Sequence, residues 1–512
     1  MKLLPLPRLS FVCLAVVAVA LVNPASAQSN AASTASATTP ASTDTATPPT
    51  VTGAATSDKD VSKEKHYVIT DYGAVADGKT LNTAFIQKAI DTAAAAGGGV
   101  LEIPKGTFLS GSIFLKQGVD LYLDEGAVLG ASTNIEDFPK QMTRIEGHFE
   151  PWRLALVNVW NMSHVRIGGP GQLNGNGAPF WADFYARRAA NPATTNLDVQ
   201  RARLMFVDHC DDVRIEDISF QDSQFWNLHL FHSHDVLVSH VRINAASALT
   251  GGRSPSTDGI DVDSCQNITI QSCQISNNDD DIAIKGSKGP HADLLADNPS
   301  DENILIQNCT IGDGNGLLTC GSEATIVRNV LVRNCSIYGS AKMLTLKLRP
   351  DTPQHYSNIT VENITLSGTG SMINVAPWTQ FFDLQGQPGP ARSIDHVVVR
   401  NIKGSFGSFG SIRGNVANPA RGTLGDSISD FTIEDVNVTL RNGGFTRGEV
   451  ANFGFNNVVV NGQPVEAPPA TAGGGGRGGR GGAGGATPGI TGAAATPTAA
   501  ASPTASTPAA TP

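Results

Sequence analysis

Ser256-Thr-Asp-Gly-Ile-Asp-Val-Asp263 and Asn277-Asn-Asp-Asp-Asp-Ile-Ala-Ile-Lys285 share nearly the same apolar pattern. When the two segments are superimposed on that pattern, Asp258 falls on Asp280, which lies 22 residues later. Neighbouring parallel strands lie about 4.8 Å apart. A chain that completes one coil in 22 residues would therefore stack these two carboxylates, with Asp279 beside them.

Three acidic side chains in so small a space cannot all ionise at low cost, so at least one pKa should rise. A protonated carboxyl next to an ionised carboxylate is the arrangement that acid/base hydrolysis requires. The acids alone are also compatible with an acidic surface turn or with a Ca²⁺ site.

Strands of one kind recur along the chain at intervals of about 23 to 38 residues, which indicates an internal repeat. Each alternates apolar and polar residues, as a strand with one face in a core does. Because almost no helix separates the strands, we predict an all-β fold, a right-handed parallel β-helix. A propeller or sandwich would need more tight hairpin turns. The repeats begin at Val213, Val236, Ile268, Ile304, Val330, Ile359, Val397 and Phe431.

One amphipathic helix is predicted before the repeats, with Asn82 as its N-cap and Gly97–Gly99 ending it. Such a helix would cap the open first coil of the solenoid. Its apolar face would consist of Ile86, Ala89, Ile90 and Ala93.

Composition divides the chain into four segments. Residues 1–27 have the pattern of a secretory signal peptide, cleaved before Gln28, which predicts a secreted or periplasmic protein without a membrane span. Residues 28–62 form an Ala/Ser/Thr/Pro-rich disordered linker, residues 63–466 the folded domain, and residues 467–512 a disordered Gly/Ala/Pro-rich tail.

The net charge of −10 disfavours nucleic acid as a partner. We expect a monomer that needs no metal or cofactor. An even number of cysteines in an exported chain permits disulfides. We expect most to be buried apolar fillers of the core instead. After removal of the signal peptide these are Cys210, Cys265, Cys273, Cys309, Cys320 and Cys335.

The paired acidic motifs resemble those of glycoside hydrolase family 28, which includes polygalacturonases and rhamnogalacturonan hydrolases. Gly168–Gly177 and the segment from Phe225 to His229 add to this resemblance, which extends from Asp71 to about Val460. It implies an inverting hydrolase that cleaves galacturonic-acid-containing pectic polysaccharide. By matched position, Asp279 is the general acid, and Asp258 and Asp280 activate water. Inverting sites hold their acid and base roughly 6.5–9.5 Å apart.

Two motifs depart from the family pattern and bear on substrate binding. Asn315 stands where the family has the His of Gly-His-Gly, and Thr345-Leu-Lys347 stands where it has Arg-x-Lys. Arg349 could supply the missing charge from the same strand face. We predict that Asn315, Lys347 and Arg349 bind substrate, with Lys347 as the main contact of the sugar carboxylate. The alternative is that both cations pair with Asp351 or Glu323 on the surface.

Further side chains near the acids have two interpretations each. Lys285 would bind substrate or pair with an Asp, and Trp226 would stack on a sugar or pack in the interior. The histidines of this region are expected to be structural rather than metal ligands; they are His229, His232, His234 and His240. Two other functions remain open at this stage: a non-catalytic β-helix adhesin or polysaccharide-binding protein, and a Ca²⁺-dependent pectate-type lyase.

Overall fold

A computed structural model describes residues 51, 53–56, 63–245, 253–379 and 382–471. The predicted signal peptide, most of the predicted linker and most of the predicted tail lie outside these residues. Parallel strands wind into successive coils, and each strand pairs with its counterpart in the next coil. The predicted parallel β-helix is therefore confirmed. Within the described ranges no helix has the length and apolarity needed to cross a membrane.

The coils have three faces. Strands of the first face are His66–Val68, Gly99–Ile103, Val119–Leu123, Ser163–Gly168, Asp211–Glu216, His234–Ser239, Gln266–Gln271, Asp301–Gln307, Ile326–Arg333, His355–Ser367, Ser393–Ile412, Phe431–Arg447 and Gly454–Val460. Strands of the second are Asp77–Leu81, Gly106–Ser110, Ala127–Ala131, Gln172–Asn174, Ser219–Gln221, Arg242–Asn244, Gln274–Ser276, Thr310–Ile311 and Ser336–Ile337. Strands of the third are Ile113–Phe114, Val157–Trp160, Met205–Asp208, Leu228–Phe231, Ile260–Asp263, Ile282–Lys285, Leu318–Cys320, Leu344–Leu348 and Ser371–Pro377. Short strands at Ser427–Ile428 and Gln463–Pro464 complete the sheet.

The sequence repeat coincides with the register of the first face. Val213 pairs with Val236, which pairs with Ile268, and every later repeat start pairs with the next one down to Phe431. These apolar side chains are fully buried and form a continuous column inside the coil. Burial on this side fixes the register, because a slip of one residue would turn every apolar side chain outward.

Asparagines stack along one outer corner of the coils. Asn303 donates its amide to Asn267 at 3.1 Å, Asn329 donates to Asn303 at 3.4 Å, and Asn358 donates to Asn329 at 3.3 Å. Each has a φ between 54° and 59°, in the left-handed region that asparagine tolerates better than most residues. Asparagine suits this corner because it tolerates the left-handed backbone conformation required there. The stacked amides add hydrogen bonds between coils.

The predicted capping helix is present at Thr83–Ala95, and its four predicted apolar residues are all fully buried. Asn82 precedes it, but its side chain accepts from Val75 N and donates to Val75 O and Thr80 O instead of capping the helix. The six described cysteines are buried and free, which confirms the prediction that most of them fill the core.

Two insertions were not predicted. A second helix, Ala178–Ala190, buries Trp181 and Phe184 against the coil. An antiparallel hairpin pairs Lys140–Ile145 with His148–Arg153. Short 3₁₀ turns lie at Ile69–Tyr72, Ile135–Asp137, Asn196–Asp198, Ala292–Leu294 and Pro419–Arg421.

Described residues on the outer side of both predicted boundaries also contact the coils. Ala54, inside the predicted linker, donates its backbone N–H to Thr269 Oγ1 at 2.8 Å. Thr471, inside the predicted tail, donates its backbone N–H to the carbonyl of Arg447 at 2.9 Å.

Candidate active site

The two acidic motifs lie in adjacent coils of the third face, as their superposition predicts. Strand Ile260–Asp263 pairs in parallel with Ile282–Lys285 at an offset of 22 residues. Just before these strands, Gly259 N–H donates to the carbonyl of Asp280 at 2.9 Å. This register places Asp258 directly beside Asp280.

The three predicted catalytic carboxyls form one cluster. Asp258, Asp279 and Asp280 each contribute a carboxylate oxygen, and these oxygens lie within 4.8 Å of one another. Asp258 and Asp280 are 3% and 1% exposed, whereas Asp279 is half-buried. Asp279 is therefore the member of the cluster most accessible to a ligand.

Two lysines hold the buried pair of carboxylates. Lys347 Nζ lies 2.7 Å from Asp280 Oδ2, and Lys285 Nζ lies 3.0 Å from Asp258 Oδ2. Thr319 Oγ1 donates a further hydrogen bond of 3.1 Å to Asp280 Oδ1. These ammonium groups already supply the positive charge that a bound cation would otherwise provide, which argues against the Ca²⁺ alternative.

The cluster separates the pKa values of its members. Burial acts to raise the pKa of Asp280, but the charges of Lys347 and Lys285 outweigh it and the pKa falls below its ordinary value. Burial and the neighbouring charge of Asp280 raise the pKa of Asp279. Burial raises the pKa of Asp258 to about 7, even with Lys285 alongside. The site thus holds an ionised Asp280 next to an Asp279 that retains its proton more readily than usual.

Asn315 lies where its motif predicts, beside the acids. Its side-chain amide donates to Asp279 Oδ1 at 3.0 Å, and its backbone N–H donates to the carbonyl of Asp279 at 2.7 Å. Asn315 therefore orients the Asp279 carboxyl, and it is half-exposed on the same surface.

Arg349 is not placed as predicted. It is 3% exposed, and its guanidinium forms two hydrogen bonds with Asp351, of 2.9 and 2.8 Å. Glu323 lies 3.8 Å from the same guanidinium. Arg349 therefore contacts Asp351 and Glu323, the two partners named in the alternative interpretation. The ion pair is buried rather than on the surface. This ion pair cannot release Arg349 to a substrate without leaving a buried Asp351 uncompensated.

Of the two interpretations given for Trp226, substrate stacking and interior packing, the structure shows interior packing. Trp226 is 3% exposed and stacks on Phe225 with ring centroids 5.2 Å apart. Lys285 lies 4.9 Å above its ring, so Trp226 packs beneath the site and supports the lysine. Trp378 is half-buried, 5.1 Å from Lys347 Nζ, and offers the more accessible aromatic ring.

His229 has the structural role expected of it. Arg203 donates to His229 Nδ1 at 2.7 Å, and His229 Nε2 lies 3.3 Å from Asp263. Burial lowers the pKa of His229 to about 3, so it is neutral. His234 lies on the surface, within reach of Asp211 and Asp235.

The unpredicted hairpin closes against one side of the site. Arg144 forms two hydrogen bonds of 2.9 Å with Asp263, which anchors the hairpin to the third face. At its tip, a Cβ on Gly147 would lie 2.9 Å from the side chain of Glu323. Burial and the charge of Glu323 raise the pKa of the adjacent Glu146 to about 7. Lys140–Arg153 lacks the spacing of the repeat, so the sequence held no signal for this contact.

Comparison with known proteins agrees with this architecture. The model of the family described as Glycosyl hydrolases family 28 matches residues 96–457, more than half of the chain. The chain therefore belongs to glycosyl hydrolases family 28.

Curated relatives are modestly similar. An Exo-poly-alpha-D-galacturonosidase of Dickeya chrysanthemi is 26% identical over 71% of this chain and 65% of its own length. An Endo-polygalacturonase of Pectobacterium carotovorum subsp. carotovorum is 28% identical over 56% of this chain and 71% of its own. For a Vitis vinifera relative the match covers 51% of its length. The chain thus spans about half to two thirds of several curated relatives.

Solved structures support the fold. An exopolygalacturonase from Thermotoga maritima has a TM-score of 0.64 at 21% identity, covering 81% of this chain and 94% of its own. A polygalacturonase from Erwinia carotovora ssp. carotovora has a TM-score of 0.55 at 18% identity, covering 80% of this chain and 100% of its own.

Proposed function

We propose that this protein is an exported hydrolase that cleaves glycosidic bonds in galacturonic-acid-containing pectic polysaccharide. The observation that carries the proposal is the unequal pair at the site, a raised pKa at Asp279 beside a lowered pKa at Asp280, within 4.8 Å. Acid/base hydrolysis needs one group of each kind in reach of the same bond.

In the proposed reaction, Asp279 donates its proton to the leaving glycosidic oxygen, and its half-exposed position suits that contact. Asp280, kept ionised by Lys347, accepts a proton from the attacking water. Asp258 helps to orient that water from the neighbouring coil. Asn315 fixes the carboxyl of Asp279 through the hydrogen bond to Oδ1.

We further propose single displacement, with inversion at the anomeric carbon. The oxygens of the cluster lie closer together than the roughly 6.5–9.5 Å typical of an inverting pair, so their spacing does not support this step. Its support is that Lys347 and Thr319 engage Asp280, and Lys285 engages Asp258. Carboxylates held in this way are poor nucleophiles but can still position a water molecule.

The galacturonic-acid substrate class is supported by the relatives, several of which are named for polygalacturonan cleavage. Export is supported by the signal-peptide pattern of residues 1–27, and processing should leave Gln28 as the N-terminus. The domain limits and the monomeric state remain proposals of the same kind.

A substrate panel tests the proposal. Purified protein is incubated with polygalacturonate, rhamnogalacturonan and neutral galactan, with and without a chelator, while reducing ends and unsaturated products are measured. We expect reducing ends from a uronate-containing substrate, with no unsaturated product and no effect of the chelator. Unsaturated products that vanish with the chelator would establish the lyase alternative, and binding without any cleavage would establish the non-catalytic one.

A further inference from the structure

Two carboxylates and an imidazole meet at the start of two neighbouring strands of the first face. Asp211 and His234 pair in register, and Asp235 follows His234. Successive side chains of a regular strand point to opposite faces. Asp235 has a φ of 52°, which breaks this alternation and brings its carboxylate to the same side as the imidazole.

The donor atoms of these three side chains are spaced like the ligands of one small cation. His234 Nδ1 lies 2.9 Å from Asp211 Oδ1 and 3.5 Å from Asp235 Oδ2. Each side chain offers a donor atom within 4.8 Å of the other two. Ligands bonded to a tetrahedral Zn²⁺ at about 2.0–2.1 Å lie about 3.3 Å from one another. A divalent ion therefore fits between them after small side-chain shifts.

The charge of this cluster also calls for a cation. Within the described parts of the chain, His234 is the only ion-pair partner of Asp211 and Asp235. A protonated imidazole balances one carboxylate at most, whereas a neutral imidazole with a divalent ion leaves both balanced.

Other carboxylates of this corner have a basic partner. Asp212, which follows Asp211, pairs with Arg166 at 3.1 Å. Glu302, further along the same column of strand starts, pairs with Arg328 at 2.7 Å. At the step next to Asp211, by contrast, the described chain supplies neither a lysine nor an arginine.

Asp235 is held in place by a segment that is distant in sequence. Its Oδ1 accepts a hydrogen bond of 3.1 Å from the backbone N–H of Ala55, and its Oδ2 faces His234. Carboxylates that bind metals are typically oriented by such an outer hydrogen bond. The side chains of His234 and Asp211 are 51% and 44% exposed, so water can complete the coordination.

We propose that Asp211, His234 and Asp235 bind a divalent transition-metal ion of the Zn²⁺ class, with water as the remaining ligand. An imidazole ligand favours such ions over Ca²⁺ and Mg²⁺, which prefer oxygen ligands. The ion joins two coils and the segment around Ala55 on the first face, whereas the catalytic acids lie on the third, so its role is structural. The sequence predicts a structural histidine at 234, and the proposal makes it a metal ligand.

Zinc binding tests the proposal. The protein is produced without a polyhistidine tag, freed of metal with a chelator, and titrated by calorimetry with Zn²⁺ and separately with Ca²⁺. His234→Gln removes the nitrogen ligand, and Asp211→Asn removes the charge of one carboxylate. His396→Gln is the matched control, because His396 is an exposed first-face histidine with one carboxylate neighbour, Asp395 at 2.7 Å. Thermal unfolding with the chelator present checks that each variant is folded.

We expect one tightly bound Zn²⁺ per chain in the wild type and in His396→Gln, and much weaker binding of Ca²⁺. Loss of a direct ligand in His234→Gln or Asp211→Asn should weaken zinc binding by more than the roughly 10–100-fold that loss of an outer partner costs. Zn²⁺ should raise the Tm of the wild type but not that of His234→Gln, because an ion that binds the folded state stabilises it. Anomalous scattering at the zinc edge should locate the ion beside His234.

A wild-type protein without a tight Zn²⁺ site would overturn the proposal. Equal Zn²⁺ affinity in His234→Gln and the wild type would also overturn it, because the ion would then bind elsewhere, as at the three acids of the third face. Ca²⁺ bound as tightly as Zn²⁺ would contradict the imidazole ligand. None of these results depends on the proposed hydrolase function, and His234→Gln should keep the wild-type kcat/KM.

Discussion

Asp280 is the side chain on which the chemistry of the site depends most. It is buried, it is neutralised by Lys347 at 2.7 Å, and it lies within the reach of two other carboxyls. The charge of Lys347 therefore lowers the pKa of Asp280. The side chain of Lys347 is 15% exposed, and its contact with the sugar carboxylate stays a prediction.

Removal of the Lys347 charge should shift the pH dependence of the reaction. Because that charge lowers the pKa of Asp280, Lys347→Met should raise this pKa, and the acid limb of kcat/KM should move to higher pH. The alkaline limb reports loss of the raised-pKa proton of Asp279; because the charge of Lys347 also lowers this pKa, the alkaline limb should move to higher pH as well. The dependence of kcat/KM on pH is measured on charged and neutral substrates. Lys403→Met, at an exposed lysine, is the control for the loss of a lysine charge. An unmoved acid limb would contradict the role of Lys347.

Asp258 and Asp280 should behave as one unit. Each is expected to act on the same water, so Asp258→Asn and Asp280→Asn should each lower kcat, and the double variant should lose far less than the product of the two losses. Exposed Asp293→Asn serves as the control for the loss of a charge. If the losses of kcat multiply in the double-mutant cycle, the two carboxylates act independently of each other.

The strands of the β-helix were predictable because burial and period-two alternation act on them in the same way in every coil. The repeat starts coincide with the register from Val213 to Phe431. The stacking of Asp258 on Asp280 was predictable from their 22-residue offset, but the ion pair of Lys347 with Asp280 was not, because it depends on loop lengths. The coil from Ala283 to Thr319 takes 36 residues and the next, to Thr345, takes 26. These lengths bring Lys347 to Asp280.

The asparagine corner gives a stability prediction for the coil. Asn329 has φ of 57°, accepts from Asn358 and donates to Asn303. Asn329→Ala loses these bonds and strains the backbone, so we expect it to lower the free energy of unfolding by about 1–3 kcal/mol. Asn329→Gly relieves the strain and should cost less. Chemical denaturation measures both, and a glycine variant less stable than the alanine variant would contradict the explanation.

The contacts of the folded unit extend beyond the repeat. Composition predicts limits at 63 and 466, and outside them the backbone of Ala54 bonds to Thr269 and that of Thr471 to Arg447. The hairpin and the second helix likewise lie outside the repeat. They bury Trp152, Trp181 and Phe184 through tertiary contacts, which a local sequence pattern does not predict.

Truncation tests these limits. A chain of residues 51–471 should fold and keep the kcat/KM of a chain of residues 28–512, because the residues removed between the two carry little apolar surface to bury. A chain of residues 63–466 should lose the contacts at both ends and be less stable by about 1–2 kcal/mol, at roughly 1 kcal/mol per hydrogen bond. Thermal unfolding compares the two, and loss of activity in the 51–471 chain would show that an excluded segment takes part in the function.

The most direct test of the account is a proton NMR time course of polygalacturonate with the wild-type protein and with Asp279→Asn. We predict that the wild type releases saturated products, with the inverted anomer formed first. Asp279→Asn should be slower by about 10²–10⁴-fold, because an amide cannot donate the proton, and it should keep the wild-type fold. Unsaturated products, or more than a tenth of wild-type activity in Asp279→Asn, would contradict the assignment of Asp279 as the acid of a hydrolytic site.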